Sequence, residues 1–376
     1  MKILIAGDFC PNDRVANLVA NNDYSFFDEI KDVINNVDYS IVNFECPVVD
    51  GDVKPIIKCG PALRTENNAV AAIKYAGFDC VTLANNHFRD FGDIGCLSTI
   101  QELKALSIDY VGGGESLAKA QSILYKDIQG KRIAFVNFCE NEFSIATDNT
   151  AGAAPLDSVD NYYQITNARQ NSDYVVVIVH GGHEYYQLPS PRMKKLYRFF
   201  LEIGADAVVN HHQHCYSGYE FYKGKPIVYG LGNFCFDWKG ERNSIWNEGY
   251  MLLLKFERTI QIDLIPYKQC DAVPNIKLLS TEELNIFNSS IETLNNIINN
   301  DKRLMDSFTN WCNRRNKSIN SLFRSYHNRY LNAAAARGWI SYPKRASEIK
   351  MMLNYIMCES HRDIVIKILT DSISKK

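Results

Sequence analysis

The sequence lacks the cysteine spacing, the long apolar runs and the charge bias that would assign it to several broad classes of protein. Its eleven cysteines are scattered along 376 residues, odd in number and without a CxxC pair. This usage argues against a disulfide scaffold and predicts reduced thiols. The net charge of −2 indicates no particular partner, and no apolar stretch has the length of a signal peptide or a membrane span. We therefore expect a soluble, cytoplasmic protein without a nucleic-acid or membrane partner.

Strand and helix patterns alternate over roughly the first 270 residues, which predicts an α/β domain. Short apolar runs at residues 2–6, 39–44 and 80–83 are typical of buried strands, and two more lie at 175–179 and 205–209. Runs with apolar residues at helical spacing separate them. Periodicity alone leaves open whether these strands form one sheet or two.

Residues 277–376 differ from the preceding part in composition and pattern. They show no strand signals, and helical patterns rich in Asn, Lys and Arg continue to the end. This region has 16 Lys/Arg and 9 Asp/Glu, a charge of 16 − 9 = +7, so residues 1–276 carry −2 − 7 = −9. We predict two parts, an α/β domain over residues 1–276 and a basic helical region over 277–376. The dispersed charges favour docking on the acidic domain or a solvated face, with binding of an acidic polymer as the alternative.

Polar side chains follow successive predicted strands at once, where open α/β sheets place their ligands. Carboxylate, amide and imidazole groups recur there in chain order: Asp8, Asn43, Glu45, Asn86, His87, His180, Glu184, His212, His214 and Asn233. Such a mixed oxygen and nitrogen set suits Mn²⁺, Fe²⁺ or Zn²⁺. One bridging carboxylate would suit a two-metal centre, which activates a shared water for attack on phosphorus.

Each of these pieces has an ordinary structural explanation when taken alone. Gly-Asp after a strand is usually a turn, Asn-Asn-His can cap a helix, and a single core histidine is often structural. The pair His212 and His214 is more specific, because alternate residues of an extended segment point to the same side. By the same reasoning His211 should point away and be structural. The recurrence of the set after successive strands favours a metal site.

Six motifs occur in order along the chain: GDF, NFECPV, LANNH, HGGHEY, GADAVVNHHQH and YGLGNFCFD. They resemble those of the capsule synthesis protein CapA family, which is associated with poly-γ-glutamate and belongs to the calcineurin-like metallophosphoesterase superfamily. The similarity covers about residues 1–250, and the last three motifs are its most specific part. It implies a four-layer α/β/β/α sandwich, in which two mixed sheets are flanked by helices.

The resemblance also implies roles for the motif residues. His87 matches the acid that assists the leaving group, and Glu45 takes the place of the bridging aspartate. The implied metal ligands are Asp8, Glu45, Asn86, His180, His212 and His214.

Two positions depart from the superfamily pattern. Cys10 stands where the first motif normally has a histidine. A thiolate there could ligate a soft metal, but a small buried cysteine is the favoured interpretation. The change weakens one metal position, so we expect either one or two divalent ions. Asn210 replaces the glycine that usually precedes the final histidines, and it tolerates left-handed backbone well.

Five further residues are predicted around the ligands or the substrate. Glu184 and Asn233 match positions typical of the capsule family, and we expect Glu184 to orient a histidine and Asn233 to hold the loop over the site. Asn43 lies at a strand end beside the ligands. His183 is a candidate substrate contact, and Arg64 is a candidate anion-binding residue.

Three functions remain open from the sequence. The first is a phosphoesterase, in which a metal-activated water attacks phosphorus and His87 protonates the departing oxygen. The second is amide hydrolysis in, or transfer to, a polyglutamate-like polymer by the same metal site. The third is a non-catalytic partner of a polymer synthase that acts through the basic helical region. The expected substrate is a phosphoester or an anionic polymer. Family members in capsule export are often anchored in the membrane at the N-terminus, and the lack of an anchor here favours an intracellular role.

Overall fold

A computed structural model describes residues 1–58, 60–323 and 328–340, with residues 349, 351–353, 356, 365 and 369. Its strands are β1 (Lys2–Cys10), β2 (Tyr39–Phe44), β3 (Cys80–Thr82), β4 (Asp109–Val111), β5 (Gly113–Gly114), β6 (Leu124–Ile128), β7 (Lys131–Cys139), β8 (Gly152–Ala153), β9 (Tyr174–His180), β10 (Ala207–His211), β11 (Tyr219–Tyr222), β12 (Lys225–Val228), β13 (Asn233–Phe236), β14 (Glu248–Phe256), β15 (Ile260–Gln269) and β16 (Ile276–Leu278). The α-helices are α1 (Asp13–Ala20), α2 (Asp28–Asn35), α3 (Asn68–Ala76), α4 (Gly92–Ala105), α5 (Leu117–Ala120), α6 (Ser158–Gln170), α7 (Pro191–Glu202), α8 (Thr281–Ile298), α9 (Asp301–Phe323) and α10 (Arg329–Ala336). Short 3₁₀ helices lie at Ser25–Phe27 and Ile245–Asn247.

The strands form two large mixed sheets. The first has the order β16-β15-β14-β1-β2-β3-β4, with β13 also paired to β1, and the second has the order β11-β12-β10-β9-β7-β6. The central strands of each sheet are parallel, whereas β14, β15 and β16 in the first sheet, and β6 and β11 in the second, pair antiparallel. Because the parallel strands end at one edge, the polar residues that follow them are brought together.

The two sheets face each other between outer helices. Tyr39 of the first sheet stacks on Phe135 of the second, with ring centroids 5.5 Å apart, and Tyr174 meets Phe256 at 4.8 Å. On the outer faces, α6 and α7 cover the second sheet, while apolar residues of α1 to α4 pack into the core of the first. The α/β prediction and the implied four-layer arrangement are confirmed.

The predicted elements recur with small shifts at their ends. The Ser-Pro pair at 190–191 predicts a helix start, and Ser190 does cap α7: its hydroxyl accepts from the Met193 amide at 3.3 Å, and Pro191 is the first helical residue. Two elements near the candidate site were not predicted, α1 and β13. The pattern of β13 is hard to identify because four buried residues directly follow a glycine turn.

The compact unit that contains both sheets runs from Met1 to Met305, and a second unit comprises Asp306–Lys376. Helix α8 belongs to the first unit, since Phe287 contacts the rings of Tyr216 at 5.1 Å and Tyr250 at 5.8 Å. The boundary predicted at 276/277 therefore precedes a helix that packs with the sheets. About a third of the basic region 277–376, mostly within its last 36 residues, lies outside the described residues.

Eight of the nine cysteines in the described part of the chain are buried, all nine are free thiols, and Cys312 is exposed. Cys59 and Cys358 lie outside that part. No helix among the described residues combines the length and apolar character that crossing a bilayer requires.

Candidate metal centre

Asp8 is positioned by a bulge in β1. The pairing of β1 with β2 shifts register between Ala6 and Asp8, and Asp8 lies opposite Asn233 of β13. A Cβ atom at Gly7 would lie 1.9 Å from the carbonyl oxygen of Gly232, so this close approach admits only glycine. The bulge thus turns the Asp8 side chain out of the regular strand pattern at the carboxyl edge of the sheet.

Asn43, at the end of β2, connects Asp8 with the neighbouring loop. Its amide donates to Asp8 Oδ1 at 2.7 Å, and its oxygen accepts from Thr82 Oγ1 at 3.1 Å and from Asn85 Nδ2 at 3.3 Å. Asn43 therefore orients the carboxylate of Asp8, which fits its predicted place beside the ligands.

Glu45 is fully buried, and neither of its carboxylate oxygens has a hydrogen-bond partner. A buried carboxylate without a partner is strongly disfavoured, so this position calls for a cation. Two histidines lie close to it. Oε1 lies 3.4 Å from His180 Nε2 and 3.8 Å from His214 Nε2.

Three separate segments converge beside Glu45. His180 ends β9, and its Nε2 lies 3.0 Å from Asn86 Oδ1 and 3.0 Å from His212 Nδ1. Imidazole nitrogen and amide oxygen are both common metal ligands. A shared cation would stabilise such a close approach of lone-pair donors.

Two ligand groups share the Glu45 carboxylate. One consists of Glu45, His180 and His212, and the other of Asp8, Glu45 and His214, with the ligand atoms of each group within 4.8 Å of one another. All five side chains are buried. This buried group could hold a metal ion, and the shared carboxylate is the arrangement of a two-metal site.

The protonation of these groups also suits a cation. Burial, reinforced by the charge of Asp8, raises the pKa of Glu45 well above its usual range. Burial lowers the pKa of His212 to about 4 and that of His180 well below its ordinary value, which leaves the neutral imidazoles that metals bind. For Asp8, burial alone would raise the pKa, but the neighbouring histidines, His211 foremost, outweigh it and lower the pKa.

The predicted geometry of the last motif is wrong in two respects. Strand β10 ends at His211, and His212 and His214 have φ angles of +91° and +55°, so they are not alternate residues of an extended segment. His211 does not point away from the site, because its Nδ1 lies 3.2 Å from Asp8 Oδ1. Both of its ring nitrogens are buried without a hydrogen bond.

Asn210 does not take the left-handed conformation that its position suggested. It lies within β10, accepts from the Tyr197 hydroxyl at 2.7 Å and donates to the Gly181 carbonyl at 2.9 Å. The left-handed residues come after it, at His212 and His214. Asn210 instead ties the loop after β9 to the end of β10.

His87, the predicted acid, lies in a buried cluster with two residues that the sequence interpretation missed. Its Nδ1 is 2.7 Å from Asp90 Oδ2 and 3.1 Å from Lys58 Nζ, and Lys58 also forms an ion pair with Asp90. Asp90 additionally accepts from the Leu63 amide at 2.7 Å. Burial lowers the pKa of His87 in spite of Asp90. The spacing His-x-x-Asp was a signal for Asp90, whereas nothing local identified Lys58.

The predicted neighbours of the ligands have different surroundings. Asn233 Oδ1 lies 2.9 Å from His214 Nδ1, and its amide donates to the Trp246 carbonyl at 3.2 Å, so it orients a ligand as well as the loop. Glu184 is exposed, and its charge acts on both Glu45 and His212. His183 is partly exposed in the same loop.

Arg64 and Cys10 lie outside the ligand groups. Nη2 of Arg64 donates to the carbonyls of Val49 at 2.8 Å and Gly51 at 3.1 Å, so this residue holds a loop, and its anion-binding role stays a prediction. Cys10 is buried, and burial together with Cys46 raises its thiol pKa, which favours the neutral, non-ligating form.

The sandwich of two mixed sheets, with a buried ligand cluster at the strand ends, defines a metallophosphoesterase-like α/β fold. The family described as bacterial capsule synthesis protein PGA_cap matches residues 2–238. The chain belongs to this family, and the predicted CapA resemblance is confirmed.

Two relatives from Bacillus are similar over about two thirds of this chain or slightly more. The capsule biosynthesis protein CapA of Bacillus anthracis is 33% identical over 278 residues, which cover 71% of this chain and 67% of the relative. The PGA biosynthesis protein CapA of Bacillus subtilis (strain 168) is 32% identical over 255 residues, 66% of each chain. The matches thus span about two thirds of each relative's length.

Among solved structures, a hypothetical protein from Thermus thermophilus aligns with a TM-score of 0.46 at 16% identity, over 71% of this chain and 99% of that chain.

Proposed function

We propose that the protein is a metal-dependent phosphoesterase with two divalent ions that share Glu45. The observation that carries this proposal is the pair of ligand groups around one buried carboxylate that lacks any hydrogen-bond partner. One ion would be held by Asp8, Glu45 and His214, and the other by Glu45, Asn86, His180 and His212. The mixed oxygen and nitrogen donors suit Mn²⁺, Fe²⁺ or Zn²⁺. Such ions supply Lewis-acid stabilisation of a phosphoryl group and activation of water at neutral pH.

His87 supplies the proton for the leaving oxygen in this proposal. Its Nδ1 is engaged by the Asp90–Lys58 ion pair, which fixes the ring and leaves Nε2 to act on substrate. Asp90 and Lys58 are positioning residues, because they act through His87. Asn43 and Asn233 hold Asp8 and His214 in the same way.

The test is hydrolysis of p-nitrophenyl phosphate and bis-p-nitrophenyl phosphate by the full chain with added Mn²⁺. We expect activity that EDTA abolishes, that Mn²⁺ restores, and that His212→Ala lowers at least a hundredfold. Activity that survives both EDTA and the His212→Ala substitution would contradict the proposal.

Amide hydrolysis in, or transfer to, a polyglutamate-like polymer is the second candidate, and the Bacillus subtilis relative is named as a PGA biosynthesis protein. The same metal centre could activate water towards a carbonyl carbon. Acidic groups around the site count against this candidate. The charges of Glu140 and Glu184 act on His212, and partial burial together with the charge of Glu184 raises the pKa of Glu142. The exposed carboxylates of Glu142 and Glu184 disfavour a polyanionic chain.

Release of glutamate from poly-γ-glutamate in the presence of Mn²⁺, and its loss after chelation, would favour the amide reaction. No release over a range of divalent metals would count against it. The role of residues 277–376 in binding a synthase stays a prediction, as does a cytoplasmic location.

A further inference from the structure

An exposed tyrosine in an unfavourable backbone conformation lies in the loop that follows His180. Tyr185 has a φ angle of +60°, which few residues with a bulky side chain adopt. Its amide donates to the Gln213 carbonyl at 2.9 Å, which ties the loop to the segment between His212 and His214. Backbone strain of this kind persists where the surrounding structure enforces it, and it clusters at functional sites.

The Tyr185 ring is connected to the metal centre through one aromatic neighbour. It stacks on Trp246 with centroids 5.8 Å apart and an angle of 28°, and Trp246 lies 4.7 Å from the ring of His214. Trp246 is 4% exposed and donates from its indole to the Phe236 carbonyl at 2.7 Å, so it is a fixed support. Tyr185 is 40% exposed. Of the two stacked rings, Tyr185 is therefore the one that a ligand in solution can reach.

We propose that Tyr185, supported by Trp246, forms an aromatic subsite beside the metal centre that binds a planar ring in the substrate's ester group. The inference rests on the phosphoesterase function proposed above and specifies its substrate as a phosphate ester with a ring near phosphorus. Trp246 links the subsite to the ion that Asp8, Glu45 and His214 would hold, because its ring contacts both Tyr185 and His214. A ring in the ester group of a phosphate bound at the ions would then reach the exposed face of Tyr185.

The chemistry of Tyr185 suits contact with a ring rather than with a charged chain. Burial, with the charges of Glu241 and Glu184, raises its pKa to about 12, so the phenol stays neutral. Its hydroxyl lies 3.5 Å from Glu241 Oε1, which restrains the ring. Aromatic pairs gain from offset stacking beyond the area that they bury. Poly-γ-glutamate has no ring, so this subsite also separates the two candidate functions.

A matched pair of phosphonates tests the subsite without turnover. Isothermal titration of the Mn²⁺-loaded full chain, at a pH where both ligands are fully ionised, would compare phenylphosphonate with methylphosphonate, which carry a ring and a methyl group on the same phosphonate. We expect the wild type to bind phenylphosphonate about five- to tenfold more tightly. Tyr185→Ala should abolish this preference while its affinity for methylphosphonate stays that of the wild type, and Tyr185→Phe should retain the preference. Tyr163→Ala, which removes a 66% exposed tyrosine on α6, is the control and should change neither affinity.

The outcomes distinguish the subsite from the function on which it rests. Equal wild-type affinity for the two phosphonates, or an unchanged preference in Tyr185→Ala, would overturn the subsite alone. A parallel loss of both affinities in Tyr185→Ala and Tyr185→Phe would also overturn it, because that pattern indicates damage to the loop. Failure of the wild type to bind either phosphonate would count against the phosphoesterase function itself.

Discussion

The unpartnered carboxylate of Glu45 makes metal binding measurable as stability. Replacing Glu45 with glutamine keeps the size of the side chain but removes the charge that both ligand groups share. Without metal, the wild type must bury an acid beside the charged carboxylate of Asp8. We therefore expect metal-free Glu45→Gln to be at least as stable as the metal-free wild type, and to lose the stabilisation that metal gives.

The size of the effect follows from linkage. A ligand present at one hundred times its dissociation constant stabilises the folded state by about 2.7 kcal/mol. In a protein of this size, 1 kcal/mol corresponds to roughly 2 °C in the melting midpoint. The wild type should gain about 5 °C on addition of Mn²⁺. The melting midpoint of Glu45→Gln should hardly rise on addition of Mn²⁺, because each ligand group loses the carboxylate that the two groups share.

Thermal unfolding after EDTA dialysis, with and without excess Mn²⁺, is the assay. Glu220→Gln is the matched control, since Glu220 is equally buried but fully paired: its carboxylate accepts from Arg198 at 2.6 and 2.9 Å and from Tyr229 at 2.8 Å. That variant should melt lower than the wild type without metal and keep the full Mn²⁺ shift. A wild-type Mn²⁺ shift in Glu45→Gln would refute the assignment of Glu45 as the shared ligand.

Three further predictions concern the residues around the ligands and helix α8. Asp90→Asn should lower turnover of p-nitrophenyl phosphate about a hundredfold with Mn²⁺ affinity unchanged, because it weakens the contacts that orient His87 and removes the charge that pairs with Lys58 but alters no metal ligand; weaker Mn²⁺ binding by calorimetry would contradict it. Asn233→Ala should weaken Mn²⁺ binding about 10- to 100-fold, since His214 loses its orienting partner, and unchanged affinity would count against this role. The pKa of Glu283 is lowered from 4.5 to about 2 by Lys268 and the α8 cap, so its stabilisation is present above pH 4.5 and lost as pH falls towards 2. Glu283→Gln should therefore lower the melting midpoint slightly at pH 7, and the gap to the wild type should close near pH 2; a gap that stays constant with pH would refute the electrostatic cause.

The sequence was informative wherever function depends on the ends of parallel strands. Asp8 lies at a bulge late in β1, Glu45 follows β2 and His180 ends β9, and the common edge of parallel strands brings them together whatever the details of the loops. The order of sheet and helix, and the cap at Ser190, were predictable for a similar reason, because they depend on local patterns. These features are encoded within about ten residues of where they act.

The features that escaped prediction depend on contacts between distant segments. Lys58 meets Asp90 across a loop, and Arg64 is held by backbone carbonyls that no local pattern indicates. The prediction that His212 and His214 are alternate residues of an extended strand was wrong, because both residues have positive φ angles and the strand has already ended. Such angles at non-glycine residues are set by tertiary contacts, and a single sequence gives no direct sign of them.

The buried ligands of the site differ in how readily they carry charge when no cation is present. Asp8 stays charged because histidines surround it, Glu45 resists ionisation because it is buried and Asp8 is near, and His180 and His212 resist protonation because they are buried. A divalent ion between them would favour the ionised carboxylate and the neutral imidazoles at once, so binding would release the proton held at Glu45. Metal affinity should then rise with pH, and the proton released on Mn²⁺ binding, measured by calorimetry in buffers of different ionisation enthalpy, should vanish in Glu45→Gln. Equal proton release by the wild type and this variant would show that the shared carboxylate is already ionised without metal.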